Sequence, residues 1–372
     1  MTNDEKLNYI IEMHKLCIKY KLDNLSNHEQ ERMASEFSKE FNNKILPLQP
    51  LRLYKYREVN EYNLDSLEND YVWFSEPKSF DDSIDSTINI DPEEEVDYLM
   101  RNNGEMMYEY NLEFVKSLFD SIGMDIPNSE LREYLDCFDD GILNIESAKK
   151  YIETKVSDPK QQEKMLAEVV AVTDKGVPED IAEATKGFLN VFMDTNEKIQ
   201  SEIVTYCLAE ESDNDLLWGT YAKSCTGFCV EYTIPINGGF FESFYRTNLY
   251  PIYYGQKERI NIFDIFKKSI FNKNKNDVNG ILAEDYRKMF ISSYTKEMKW
   301  CAQNEWRINI PKLFDENNKQ PFPYATAVIL GEKMDLNNQK SIIDICRKKG
   351  IPVFKRKYNS SRSKIIVEKI IE

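Results

Sequence analysis

The chain has 372 residues, 41% of them hydrophobic, enough for one large domain or two ordinary ones with a substantial core. No run approaches the ~18 apolar residues of a membrane span, and Met1-Thr2-Asn3-Asp4-Glu5-Lys6 lacks the basic-then-apolar order of a signal peptide, so no membrane is expected and the chain reads as cytoplasmic. The net charge of -16 is uneven: residues 1–90 carry -6, residues 91–200 carry -15 and residues 201–372 carry +5, an acidic distribution that disfavours duplex DNA as a partner.

In chain order, residues 4–43 read as two helices of an N-terminal helical arm (1–45), with Leu7, Ile10, Ile11 and Met13 at helical intervals and a capping box, Ser26-x-x-Glu29, opening the second. Pro47 and Pro50 stop the helix. A first part of a sheet core (51–90) follows, with a strand at Leu51–Tyr56, a helical turn near 63–67 and a second strand at Tyr71–Phe74. Residues 91–200 then take an amphipathic helical pattern and read as an acidic helical insert. Strands return in the remainder of the core (201–372), at 204–208, 227–232, 250–254, 305–310 and 325–330, with a helix over 283–300 leading into the Glu305 strand. The ending is the most explicit: a strand over Ala327–Leu330, Asp335 as N-cap, a helix closed by Gly350, and a strand from Ile351. Strand, helix, strand implies a right-handed crossover and a parallel pair. The expected fold is therefore α+β: a mixed twisted sheet with a helical arm, an acidic insert and a C-terminal strand-helix-strand unit.

The chemistry is narrowed by what the chain lacks. His14 and His28 are its only histidines, so a His-based triad or zinc site has too few members and acid-base work falls to carboxylates, Tyr or Lys. The seven cysteines form no Cys-x-x-Cys pair and read as reduced, packed thiols rather than a disulfide framework; Cys225-x-x-x-Cys229 has no metal-ligand partners nearby. Three carboxylates in Asp81-Asp82-Ser83-Ile84-Asp85 could ligate a hard cation, but without the spacing and glycine of a calcium loop they read first as a polar turn, and no metal is assigned.

Alternate side chains of a strand share a face, so Glu305, Arg307 and Asn309 lie opposite Trp306, Ile308 and Ile310, and Cys229 and Glu231 opposite Phe228, Val230 and Tyr232. If these two strands pair, Glu231, Glu305 and Arg307 form one charged cluster, which reads equally as a site or as a structural ion-pair network. Gln303-x-Glu305 just before a strand resembles the motif of ADP-ribosyltransferase folds, in which the Glu contacts the ribose of a nicotinamide dinucleotide and the residue two earlier orients the acceptor. That resemblance implies Glu305 and Gln303 as catalytic residues, with Arg57 for phosphate and Ser75 at the end of the second strand; Glu231 joins the expected catalytic set through the charged cluster, and Tyr54, Lys55, Trp218, Tyr221 and Arg307 complete the expected substrate contacts.

The ordered blocks Leu53–Arg57, Trp73-Phe74-Ser75 with Phe80-Asp81-Asp82 and Asp85, Trp218–Ala222, Gly227–Tyr232, Trp300 with Glu305-Trp306-Arg307, and Ile329-Leu330-Gly331 together resemble the bacterial family catalogued as domain of unknown function 2971. Relatives carry Asn-Asp-Pro-x-Asp where this chain has Asp81-Asp82-Ser83-Ile84-Asp85, and a His where it has Thr220. The resemblance implies a cytosolic bacterial protein of phage-defence or mobile-element neighbourhoods. Two functions stay open: an enzyme acting on a nucleotide-like substrate in the manner of an ADP-ribosyltransferase, with NAD as substrate, or a non-catalytic module with a structural charged cluster that binds a protein partner, or itself, through 91–200.

Overall fold

The computed structural model describes residues 1–20, 27–80, 82, 85–86, 90–91, 94–95, 108–139, 142–174, 187, 190, 193–194, 197, 201–257, 259–260, 287–312, 318–359 and 364–371. The chain divides into two compact units, one of residues 1–89, 197–258 and 286–372, the other of 90–196 and 259–285. In chain order the strands among the described residues are β1 (Leu53–Arg57), β2 (Tyr71–Trp73), β3 (Phe138–Asp139), β4 (Ile142–Leu143), β5 (Ile203–Ala209), β6 (Phe228–Tyr232) and β7 (Leu249–Pro251). They continue as β8 (Tyr253–Tyr254), β9 (Thr295–Lys296), β10 (Glu305–Pro311), β11 (Lys319–Pro321), β12 (Ala325–Leu330), β13 (Val353–Asn359) and β14 (Lys364–Ile371).

The first unit is built on an eight-stranded sheet of order β14-β13-β12-β6-β1-β5-β10-β7. Its pairs are antiparallel except β12 with β13, so the sheet is mixed and the fold is α+β. The parallel pair follows from its connection. Asp335 accepts a hydrogen bond from the Asn338 amide to start the helix Leu336–Lys349, and Gly350, at φ 67°, closes it in the left-handed conformation that glycine adopts without steric cost. β14 returns antiparallel along β13, a strand that the sequence reading lacks.

Cross-strand partners share a face, and the register sorts the sheet into two. Trp306 faces Leu208, Ile308 faces Tyr206 and Ile310 faces Val204; these join Leu53, Phe228, Val230 and Tyr232 in the main core. Each such side chain contributes about 1.5–3 kcal/mol when fully buried. Tyr9, Ile10 and Met13 of the helix Asn3–Lys19 and Phe41 of the helix Asn27–Lys44 belong to the same core, and the Tyr9 ring meets Trp306 edge-on at 5.6 Å. Both helices of the N-terminal arm thus contribute side chains to the sheet unit's core. The opposite face carries Tyr54, Cys207, Glu305 and Arg307.

Two local expectations change. The strand at 71–74 is β2, which pairs with β11 in a separate two-stranded sheet, and only Ser75 reaches the main sheet, bridging Thr205. The helix expected over 283–300 is helical at 287–293, then gives way to β9, parallel to β8, and to a 3-10 turn at Met298–Gln303. Asn304, at φ 43°, ends that turn and sets the chain into β10. Ser26 of the expected capping box, and Asp81, Ser83 and Ile84 of the acidic turn, lie outside the described residues.

The second unit has its own core. Leu112, Val115, Phe119, Tyr134, Ile152 and Val169 are buried together, contributed by the helices Tyr108–Ser121, Ile145–Lys155 and Pro159–Asp174 and the 3-10 segment Arg132–Cys137. Asn144 caps the helix that starts at Ile145 by accepting from the Ser147 amide.

Candidate active site

β10 presents Glu305 and Arg307 on its polar face because the period of two that buries Trp306 and Ile308 leaves no other side for them. Both are buried nonetheless. Arg307 satisfies two carboxylates with one planar group: its Nε donates to Glu305 Oε1 at 2.6 Å, and its Nη1 and Nη2 donate to Asp85 Oδ1 and Oδ2, each at 2.7 Å. The forked pairing with Asp85 is the bidentate geometry that guanidinium suits and ammonium does not. Nη1 also donates to the Ser86 hydroxyl at 2.7 Å, and the guanidinium lies 5.0 Å from the Phe80 ring centroid.

Lys296, at the end of β9, closes the network. Its Nζ donates to Gln303 Oε1 at 2.9 Å, and lies 3.2 Å from Glu305 Oε2 and 3.1 Å from Asp85 Oδ2. The 3-10 turn and the left-handed Asn304 bring Gln303 beside Glu305, and the Gln303 Nε2 donates toward the Tyr221 hydroxyl at 3.4 Å. The Glu305 amide donates to the Tyr254 hydroxyl at 2.9 Å, and the Trp300 indole N–H donates to Asp82 at 2.9 Å. Asp82, Asp85, Tyr221, Lys296, Trp300, Gln303, Glu305 and Arg307 line a cavity of about 220 Å³, completed by Tyr54, Lys55, Tyr56, Ser75, Phe80 and Cys207.

Electrostatics fix the protonation of the network. Burial alone would raise the Glu305 carboxyl, but Arg307 and Lys296 outweigh it and hold the group down at about 2. Asp85 follows the same balance: burial opposes its ionisation, Arg307 and Lys296 overcome that, and its pKa is lowered. Lys296 is raised, because Glu305 and Asp85 outweigh burial. Burial pushes the Cys207 thiol up to about 12, an unreactive state despite its place in the wall. Burial also lowers Lys55, and brings Lys257, which feels Asp85, Arg307 and Asp82, down to about 8.

Of the residues singled out from sequence, Glu305, Gln303, Tyr54, Lys55, Ser75, Tyr221 and Arg307 line this one cavity. Glu231 does not join them, because β1 and β5 stand between β6 and β10; it accepts instead from Tyr54 at 3.1 Å and from Thr326 at 2.9 Å. Arg57 is on the core face with Leu53, where it donates to Asn63 at 2.6 Å and to the Tyr206 hydroxyl at 3.0 Å, so the expected Arg57, Ser75, Glu305 set is not assembled. Trp218 is a core residue, fully buried against Tyr56, with its indole N–H on the Ser212 carbonyl. Thr220 is exposed and does not line the cavity. Lys296 and Cys207 were missed. A helix reading across 283–300 gave Lys296 no special face, and a cysteine in an apolar strand carries no signal of its own. Among the described residues no three His, Cys, Asp or Glu side chains gather where they could hold a metal ion.

The elements that bring Gln303, Glu305 and Arg307 beside Lys296 and Tyr221 all come from the stretch between the Trp218 helix and β10. Residues 217–308 match the model of the family described as protein of unknown function, DUF2971. This is the family that the sequence motifs resemble. The DUF2971 stretch supplies Tyr221, Lys296, Trp300, Gln303, Glu305 and Arg307, while Tyr54, Ser75, Phe80 and Asp85 come from before it. Neither curated proteins nor solved structures yield a match.

Proposed function

We propose that the cavity takes a nucleotide-like substrate and that Glu305 stabilises positive charge on its ribose as a glycosidic bond breaks, in the manner of an ADP-ribosyltransferase using nicotinamide dinucleotide. One observation carries this reading: Glu305, kept ionised, and Gln303, two residues before it, open together onto a cavity that also holds Ser75 and Tyr221. A carboxylate fixed in place before reaction stabilises a developing cation without reorganising. Lys296 occupies the Gln303 carbonyl oxygen, so the amide presents N–H toward Tyr221 and the cavity. Calorimetric titration with NAD, followed by measurement of released nicotinamide, tests the reading. Binding and turnover are expected, with turnover reduced about 100-fold in Gln303→Ala, the size usual for loss of one positioning group; an absence of binding at millimolar NAD would sink the proposal.

A second reading, a non-catalytic module, draws on the charge closure between Arg307, Lys296, Asp85 and Glu305, which is complete within the protein itself. Binding without nicotinamide release would favour it. The charge of residues 91–200 leads us to infer further that this segment engages a basic protein surface or a second copy of the chain. No described helix is long and apolar enough to cross a membrane. A cytosolic setting in bacterial phage defence or on mobile elements is inferred from the family resemblance.

A further inference from the structure

The charges around the cavity do not cancel evenly. Arg307 and Lys296 are matched by Asp85 and Glu305 within 3.2 Å. Asp82 holds the Trp300 indole and lies close enough to Lys257 and Lys299 to favour their protonated forms, and Lys299 also pairs with Glu297. Lys55 differs from all of these. Among the described residues it has no ion pair with a carboxylate; its ammonium donates to the Cys207 carbonyl at 2.8 Å and lies 5.0 Å from the Tyr206 ring centroid.

The backbone explains how it gets there. β1 and β5 pair at Tyr54↔Ala209 and not beyond, so the Cys207 carbonyl is met by the Lys55 side chain instead of a strand amide. A methionine would fill such a slot with less loss of hydration, since an ammonium taken from water without a counter-charge costs several kcal/mol. An ammonium has three donors, and the Cys207 carbonyl uses one. An anion bound in the cavity that Lys55 lines would offset that cost.

We propose that Lys55 is the anion anchor of this cavity and receives a phosphate of the ligand. The proposal rests on the nucleotide reading above and assigns the phosphate contact to Lys55, which lines the cavity, in place of Arg57, which does not line it and is held by Asn63 and Tyr206. The base and ribose then extend toward Gln303 and Glu305, and the phosphate lies at the β1–β5 split.

The test compares ligands that differ by one phosphate, nicotinamide mononucleotide against nicotinamide riboside and AMP against adenosine, by calorimetry on the full chain and on Lys55→Met. In the wild type the phosphate is expected to tighten binding roughly 10-fold, as a charge-assisted hydrogen bond does, and in Lys55→Met to add nothing. A phosphate advantage that persists in folded Lys55→Met, or that is absent from the wild type while the nucleosides bind, overturns the anchor and leaves the nucleotide reading standing. If none of the four ligands binds, the nucleotide reading falls and the anchor with it. Should Lys55→Met not fold, the wild type decides: pyrophosphate is expected to displace nicotinamide mononucleotide but not the riboside, and displacement of neither overturns the anchor.

Discussion

Glu305 meets two cations in a buried setting, and this sets what its replacement does. Glu305→Gln removes the carboxylate charge but leaves Arg307 and Lys296 buried with Asp85 as their remaining counter-charge, so it is expected to lower stability by about 3 kcal/mol as well as abolish turnover. Chemical denaturation checks this, and a loss under ~1 kcal/mol, the surface-residue range, would show that the network is looser than its distances imply. The same groups give a pH dependence. The folded-state pKa values of Glu305, at about 2, and of Asp85 lie below those of the unfolded chain, so their contribution is complete above the ordinary carboxylate range near ~4 and is lost as pH falls through the folded values. The urea midpoint is therefore expected to hold between pH 7 and ~5 and to drop toward pH ~3, with a shallower drop in Glu305→Gln. Cys207, pushed up to about 12 by burial, is expected to resist maleimide at pH ~8 until the protein is denatured; mass spectrometry of the labelled peptide reads this directly.

At the scale of elements, the adjoining ends of β12 and β6 are held by close backbone approach. A Cβ on Gly331, just past β12, would lie 2.1 Å from the Cys225 carbonyl oxygen, and one on Gly227, just before β6, 2.2 Å from the Arg57 carbonyl oxygen. The Gly331 amide donates to the Gly227 carbonyl at 2.8 Å, so the two glycines lock β12 to β6. Gly331→Ala forces backbone to move against backbone and is expected to cost about 2–3 kcal/mol, measured as a shift in the thermal midpoint; a neutral result would mean that the turn at Lys223–Cys225 yields easily. Much of this architecture was readable beforehand because local rules act within a few residues. Asp335 and Gly350 bracket a helix by capping and by left-handed backbone, and the Trp306, Ile308, Ile310 period sorts β10 into an apolar and a polar face. Strand order was not readable in the same way. Nothing within β6 or β10 tells that β1 and β5 lie between them, so Glu231 was grouped with Glu305 on parity alone. Arg57 differs for a related reason: its parity with Leu53 already places it on the core face, where half-buried Asn63 and buried Tyr206 accept from its two terminal nitrogens, although a charged residue at a strand end reads as a ligand contact. Lys296 was hidden because a tertiary pairing, β9 with β8, interrupts a segment whose local pattern is helical.

For the whole molecule, the distribution of charge is the feature that local packing does not explain. Residues 91–200 carry -15 and residues 201–372 carry +5, a separation larger than balanced surface charge requires. The second unit has an apolar core of its own, with Leu118, Phe119 and Ile152 buried inside it, so its acidic side chains are not required to complete that core. Glu146, Glu153 and Glu163 are exposed on its helices. Such a surface draws basic partners over a range set by the Debye length, ~8 Å at physiological salt, and repels nucleic-acid phosphate. If the surface serves association, the full chain is expected to self-associate, or to capture a basic protein surface, more strongly at ~50 mM than at ~500 mM salt. The variant Glu146→Lys, Glu153→Lys, Glu163→Lys is then expected to lose that salt dependence while keeping its thermal midpoint, since exposed charges contribute little to stability. Light scattering behind size exclusion reads the first expectation and a gel shift with duplex DNA reads the electrostatic premise. A salt-resistant DNA complex would show that the basic end of the chain, not the acidic middle, governs what this protein meets.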